Sequence, residues 1–186
     1  TESYKLSFFK DCDTAISTAR AGNVIGGGDF AKDRIIPDCI RAIQADEEIA
    51  VRNPRSIRPY QHVLDPIMAY LLIAEAQYRN GEFAGNYNIG PSEADCWETG
   101  RIVCTFCDKW VNLTGKKVEW KYQPGSGPHE ANYLKLDCSK MKSVFGWQPK
   151  WNMEIALEKT VEWLDIYLSG GDIAACMERQ IREFAL

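Results

Sequence analysis

No run of this sequence is apolar over the ~20 residues that a bilayer-spanning helix requires, so no segment reads as one. Basic charge is not in excess either: 22 Lys and Arg stand against 26 Asp and Glu, for a formal net charge of -4. With no arginine-rich tract, nothing in that balance points to nucleic acid. Histidine is scarce. Neither His62 nor His129 has a metal-binding companion at useful spacing, which argues against a zinc site. Residues 1–13 lack the basic region and apolar run of a secretory signal. An initiating Met is missing, and Thr1 to Phe9 reads like the end of a helix already under way, as if cut from a longer chain. The seven cysteines are scattered and odd in number, which reads most simply as free thiols in a reducing cytosol. The expectation is a soluble, cytoplasmic protein.

What is present suits a packed core. Apolar residues make up 45% of the 186 and charged residues 26%, which excludes a disordered tail. Thr14 to Arg20 reads as a buried strand, and Gly22 to Asp29 as a glycine-rich loop. Ile36, Ile40 and Ile43 carry helical spacing over Ile35 to Ala45. Glu48 to Arg52 and Gly85 to Ile89 read as strands, and Pro66 to Tyr78 as a buried helix between them. Asp95 with Glu98 three residues on predicts a capping box, opening a helix from Cys96 to about Leu113. Strands are expected at Lys117 to Tyr122 and Tyr133 to Leu136, with loop at residues 123–128. A short helix capped by Asp137 should end at Gly146. Leu157, Val161, Leu164 and Leu168 mark a long amphipathic helix, broken at Gly170-Gly171 before a last helix to Phe184. Few, short strands among helices predict a mixed α/β lobe and not a complete doubly wound sheet.

The chemistry-bearing patterns are sparse. The run Gly22-Asn23-Val24-Ile25-Gly26-Gly27-Gly28 matches neither G-x-G-x-x-G nor the P-loop, and no Lys or Ser/Thr follows to hold a phosphate. Spacing leaves it open between a ligand loop and a turn needing positive φ. Arg52, Arg55 and Arg58 lie within seven residues, with Arg34 at a helix start. Guanidinium forks match diphosphate oxygens, but on spacing alone a solvated basic loop is the better reading. Cys104-Thr105-Phe106-Cys107 falls inside a helix, the wrong place for a redox pair. Trp97, Trp110, Trp147, Trp151 and Trp163 are most simply core residues.

Taken in series, several motifs carry more. Arg20-Ala21-Gly22-Asn23-Val24-Ile25-Gly26-Gly27-Gly28-Asp29, Arg34-Ile35-Ile36-Pro37-Asp38, Val51-Arg52-Asn53-Pro54, Ile57-Arg58-Pro59-Tyr60-Gln61-His62-Val63, Asn86-Tyr87-Asn88-Ile89-Gly90-Pro91 and Phe145-Gly146-Trp147-Gln148-Pro149 follow one another over nearly the whole chain. This order resembles the extended short-chain dehydrogenase/reductases that act on nucleotide sugars, the NAD-dependent epimerase/dehydratase family. Arg52-Asn53-Pro54, Arg58-Pro59 and the glycine run resemble its CDP-glucose 4,6-dehydratase branch more than its dTDP-glucose and UDP-galactose branches.

The resemblance implies an α/β fold: the C-terminal substrate-binding lobe of a Rossmann-type protein, with the N-terminal nucleotide-binding sheet largely absent. Residues 1–22 would be a Rossmann remnant and 23–186 the substrate lobe. Asn23, Arg34 and Arg58 would hold the sugar diphosphate. Val51 and Arg52 would lie near the nucleoside, and His129 and Glu130 near ribose and phosphate. Ala21 and Gly22 would pass close to the nicotinamide of NAD. In the family reaction NAD takes hydride from sugar C4, water leaves across C5 and C6, and the hydride returns to C6. The family's acid–base Tyr-x-x-x-Lys and its Gly-rich fingerprint have no match in these residues. The resemblance therefore implies no catalytic residue in this chain, a nucleotide-binding half as its necessary partner, and a possible homodimer of the full-length protein. A non-catalytic binding module, or part of a dTDP- or UDP-sugar enzyme, is the alternative.

Overall fold

The computed structural model describes residues 1–124 and 132–186. Among the described residues, seven α-helices and six short strands follow in the order α1 (Glu2–Phe8), β1 (Thr18–Ala21), β2 (Asn23–Ile25), α2 (Ile35–Ala45), β3 (Ile49–Val51), β4 (Tyr60–His62), α3 (Leu64–Arg79), β5 (Asn86–Ile89), α4 (Thr99–Thr114), β6 (Trp120–Tyr122), α5 (Ser139–Phe145), α6 (Met153–Leu168) and α7 (Ile173–Ala185). Among the described residues the strands form three parallel pairs: β1 with β5, β2 with β4 and β3 with β6.

Each helix is legible in its local chemistry. In α2, Ile36, Cys39 and Ile40 share one buried face, and Pro37 sits in the first turn, where its missing N–H costs nothing. The helix ends on Asp46, which takes the left-handed conformation at φ 54°. Gly115 and Gly146 end α4 and α5 in the same way, as glycine does most cheaply. Asn152 and Asp172 cap α6 and α7 by accepting the Ile155 and Ala175 amides.

The strands are harder to foresee. The stretch 22–29 is loop only in part, because residues 23–25 pair with β4, and β4 itself lies in what reads as a connector. The strand expected at Tyr133 to Leu136 is a single bridge from Tyr133 to Ile57. The Asp95–Glu98 capping box does not form: α4 starts at Thr99, and the Asp95 carboxylate accepts from the Ser92 hydroxyl and the Met153 amide. The longer local pattern lost to a tertiary contact 58 residues away.

Two apolar clusters result. The larger joins α2, β3, α4 and α6 through Ile36, Ile40, Val51, Phe106, Trp110 and Leu157. The smaller joins α3, β5 and α5 through Ala69, Ile73, Tyr87, Ile89, Met141 and Trp147. All five tryptophans expected in the core are buried. At the join, the Ile89 carbonyl accepts both the Gly22 N–H at 2.9 Å and the Gln61 carboxamide at 3.0 Å. Thus β1, from the 1–22 segment, pairs with residues 86–89, while the chain crosses at Gly22 into β2.

Asp65, in the first turn of α3 and 1% exposed, accepts the Lys150 amide at 2.6 Å and ties α3 to the α5–α6 connection. Burial raises its pKa from the ordinary 3.8 to about 6, only partly offset by that amide. The folded chain therefore binds a proton more tightly here than the unfolded chain does. Its stability falls as pH rises from about 4 to about 6 and levels above, by at most about 3 kcal/mol. Asp65→Asn keeps a carbonyl acceptor and removes the titration. Thermal melts should show its advantage over wild type growing across that window and constant above it. A pH-independent difference would contradict this. Buried His62, lowered to about 4 by desolvation and by Lys159, acts oppositely, with stability lost as pH falls below 6.5. It is common to both proteins and cancels in the comparison.

Candidate functional site

A cleft of about 970 Å³ opens above the larger cluster, near the upper end of the roughly 300–1,000 Å³ usual for small-molecule sites. Four structural units form most of its walls. The β1–β2 crossing brings Gly22 and Asn23, and the start of α2 brings Arg34 to Asp38. The end of β3 and the following loop bring Val51, Arg52, Asn53, Ser56 and Arg58, and α4 brings Thr99. Six of the residues singled out in the sequence thus share one cavity: Gly22, Asn23, Arg34, Val51, Arg52 and Arg58. Ala21 is one residue outside it, and Arg55 is exposed and does not line it. His129 and Glu130 lie outside the described residues.

The parallel pairs explain the convergence. In a parallel strand pair the chain ends emerge on the same side. Asn23 is in register with Tyr60, two residues after Arg58, so β2 and β4 bring Asn23 and the arginine loop to one edge. Asn23 and Arg58 are 35 positions apart in sequence, yet the pairing makes them neighbours across the cleft.

The electrostatics are balanced and not simply basic. Arg34 Nη1 lies 3.0 Å from Asp29 Oδ2, and Arg52 Nη1 lies 3.2 Å from Asp33 Oδ1. Burial opposes ionisation of Asp29, but the Ala31 N–H and the Arg34 guanidinium outweigh it and hold the carboxyl below its ordinary value. The side chains of Arg34 and Arg52 are half exposed or more, so these pairs are worth about 1 kcal/mol or less. An anion of two charges can displace them. Arg58 is held more firmly: it is half-buried, and its Nη1 donates to the Ile57 carbonyl at 3.1 Å. The first turn of α2 also lines the cleft, adding the positive end of an eleven-residue helix.

The glycine run divides by position. A Cβ at Gly27 would lie 2.3 Å from the Trp163 ring, so this glycine serves packing. Gly28 has φ 82° and open space around it, the signature of a turn. Only Gly22 and Gly26 reach the cleft. A dinucleotide cradle sets its glycines at the mouth of a helix. Here α2 begins seven residues after Gly28, behind Arg34 as N-cap. NAD would therefore find at Ala21 and Gly22 an edge and not a cradle.

The other candidates resolve plainly. Cys104 and Cys107 lie mid-helix in α4, and burial with the neighbouring Cys104 raises the Cys107 thiol to about 12, which makes it inert. All seven cysteines are free, and no group of metal-ligating residues occurs among the described residues. No helix is long and apolar enough to cross a membrane. Sequence reasoning missed Asp29, Asp33, Ser56, Thr99 and Asn132 in the cleft lining. Ser56 carried a weak signal, lying between Arg55 and Arg58, but Thr99 carried none.

Comparison with known proteins follows the same lines. Residues 2–90 match the model of the NAD dependent epimerase/dehydratase family. The chain is 40% identical to the CDP-glucose 4,6-dehydratase of Salmonella typhimurium over 97% of its own length and 51% of that protein's. Among solved structures, the UDP-glucose 4-epimerase of Thermotoga maritima with UDP-glucose superposes with a TM-score of 0.69 at 23% identity. It covers 90% of this chain and 51% of that one. The dTDP-glucose 4,6-dehydratase of Bacillus anthracis, in complex with NAD, gives a TM-score of 0.66 at 21% identity, over 88% and 49%. The chain spans about half the length of the relatives it matches. In its motifs, its fold and these matches the chain is similar to the NAD dependent epimerase/dehydratase family, whose model covers residues 2–90.

Proposed function

We propose that this chain forms the sugar-nucleotide-binding half of a cytoplasmic CDP-glucose 4,6-dehydratase. One observation carries the reading: Asn23, Arg34, Arg52 and Arg58, drawn from distant parts of the sequence, line a single cleft large enough for a nucleotide sugar. The 40% identity to a CDP-glucose enzyme over 97% of the chain supports cytidine. In this reading Arg34 and Arg58 clamp the diphosphate with two-pronged hydrogen bonds, and Asn23 adds a neutral contact. Val51 and Arg52 face the nucleoside, and His129 and Glu130 complete the ribose and phosphate contacts.

The chain's own residues bind and orient the substrate. Hydride transfer is the province of NAD, held mainly by a nucleotide-binding lobe that covers a different face. That face carries Ile67, Met68, Leu71 and Tyr78 of α3, all exposed. It also holds the β1–β5 pair, which is only two strands wide among the described residues. Parallel strands are stable when buried on both faces, so this surface suits a covering lobe. The full-length protein, as a homodimer, would then be the active species, and the present chain inactive alone.

Calorimetric titration with CDP-glucose, UDP-glucose and dTDP-glucose tests the reading. CDP-glucose should bind tightest, by about tenfold, a difference of about 1.4 kcal/mol. Equal affinities would remove cytidine from the proposal. Binding of none would remove the sugar-nucleotide site itself.

A further inference from the structure

Arg52 and Arg58 stand at the two ends of a seven-residue segment with no helix or strand of its own. Such a segment cannot set the separation of two guanidinium groups unless something outside it holds the backbone. One side of that hold comes from residues 132–134, where the Ile57 amide donates to the Asn132 carbonyl at 2.9 Å and the Leu134 amide to the Ile57 carbonyl at 3.1 Å, and the other comes from α4. The Thr99 amide donates to the Ser56 carbonyl at 2.9 Å, and the Gly100 amide donates to the Pro54 carbonyl at 2.7 Å. These are two of the N–H groups that every helix start leaves without an intrahelical partner. Glu98, the N-cap residue, makes no side-chain cap, so the arginine segment itself caps the helix. Ile57 adds a bridge to Glu98. A Cβ at Gly100 would come within 3.1 Å of the Pro54 carbonyl, so the approach is close enough to favour glycine.

Two hydroxyls complete the joint. Ser56 Oγ and Thr99 Oγ1 are 2.9 Å apart, and both residues are less than 10% exposed. The Thr99 hydroxyl donates to the Ser56 carbonyl at 3.0 Å. Ser56 Oγ lies 2.9 Å from the Asn53 carbonyl, the other acceptor within its reach. A hydroxyl has one proton. Both protons are therefore committed inside the joint, although both residues line the cleft. Neither is left to donate to a bound anion.

We infer that Ser56 and Thr99 are positioning residues for nucleotide-sugar binding: they fix the arginine segment on α4 and thereby set the spacing of Arg52, at the nucleoside, and Arg58, at the diphosphate. This rests on the reading of the cleft as a sugar-nucleotide site. A floppy segment would still carry both charges but would lose entropy each time it closed on the ligand.

The test is titration of the chain with CDP-glucose, alongside thermal melts. Thr99→Val keeps the shape and removes the hydroxyl, and should weaken binding about five- to tenfold. Thr99→Ser keeps the hydroxyl and should bind as wild type. In an Arg58→Ala background, Thr99→Val should cost little more, because the group it positions is gone. Ser56→Ala removes the hydroxyl pair from its other end but keeps the Thr99 bond to the Ser56 carbonyl; it should weaken binding in the same direction and serves if Thr99→Val fails to fold. Independent, multiplying losses, or equal losses in the Thr99→Ser and Thr99→Val proteins, would overturn the inference. Should wild type bind and Arg58→Ala fail to bind while Thr99→Val and Ser56→Ala bind normally, the inference falls and the site stands. If wild type and Arg58→Ala behave alike, the site reading falls and takes the inference with it.

Discussion

Arg58→Ala is expected to weaken binding of CDP-glucose by about 30- to 100-fold, the loss of a charged hydrogen-bonded pair worth roughly 2–3 kcal/mol. The reason for choosing Arg58 over its neighbours is its restraint. Arg34 and Arg52 extend side chains that are 65% and 50% exposed and are answered by Asp29 and Asp33. Side chains so open to solvent must be ordered when they close on a ligand. Arg58 is half-buried and anchored on the Ile57 carbonyl, and the buried Pro59 follows it. Less freedom is lost when it closes on a phosphate. Arg34→Ala should therefore cost only about three- to tenfold. Arg58→Lys should recover part of the loss, because an ammonium supplies charge without the fork. Calorimetry reads all three, and thermal melts within a few degrees of wild type show that the fold is intact. An Arg58→Ala protein with wild-type affinity would refute this assignment.

Gly22→Ala should be strongly disruptive. The added Cβ would lie 2.4 Å from the Pro59 carbonyl oxygen and 3.1 and 3.3 Å from carbons of its ring. The nearest obstacle is backbone, in the connection between the arginine segment and β4, and backbone cannot rotate aside. The Gly22 N–H also donates to Ile89, so retreat in the other direction breaks the join between the two apolar clusters. A loss of about 2–4 kcal/mol is expected, lowering the melting temperature by about 5–15 °C. Because Pro59 adjoins Arg58, substrate affinity should fall too. Gly28→Ala is the control: its φ of 82° is unfavourable for alanine, but no atom lies within 4 Å, so about 1 kcal/mol should be lost. A Gly22→Ala protein that melts like wild type would mean that the crossing is looser than described.

The sequence disclosed the helices well because their information is local. The isoleucines of α2 and the leucines and valine of α6 repeat at helical spacing, and Ile35–Ala45 agrees at both ends. The strands β2 and β4 were hidden because each is three residues long and is made a strand by a partner 37 positions away. The Asp95–Glu98 box shows the opposite failure: a local pattern correct in form was overruled when Asp95 found the Met153 amide. For the cleft, spacing alone favoured a solvated basic loop. The ordered series of family motifs, and not periodicity, brought Asn23, Arg34 and Arg58 together. The Ser56–Thr99 joint spans 43 positions between unremarkable residues, and only the fold makes it visible.

A crystal structure of the chain with CDP-glucose bound tests the central claim most directly. The diphosphate oxygens should lie within hydrogen-bonding distance of Asn23, Arg34 and Arg58, with Asp29 and Asp33 turned away from their arginines. A diphosphate seated elsewhere on the molecule, with the Arg34–Asp29 and Arg52–Asp33 pairs unchanged, would contradict the account.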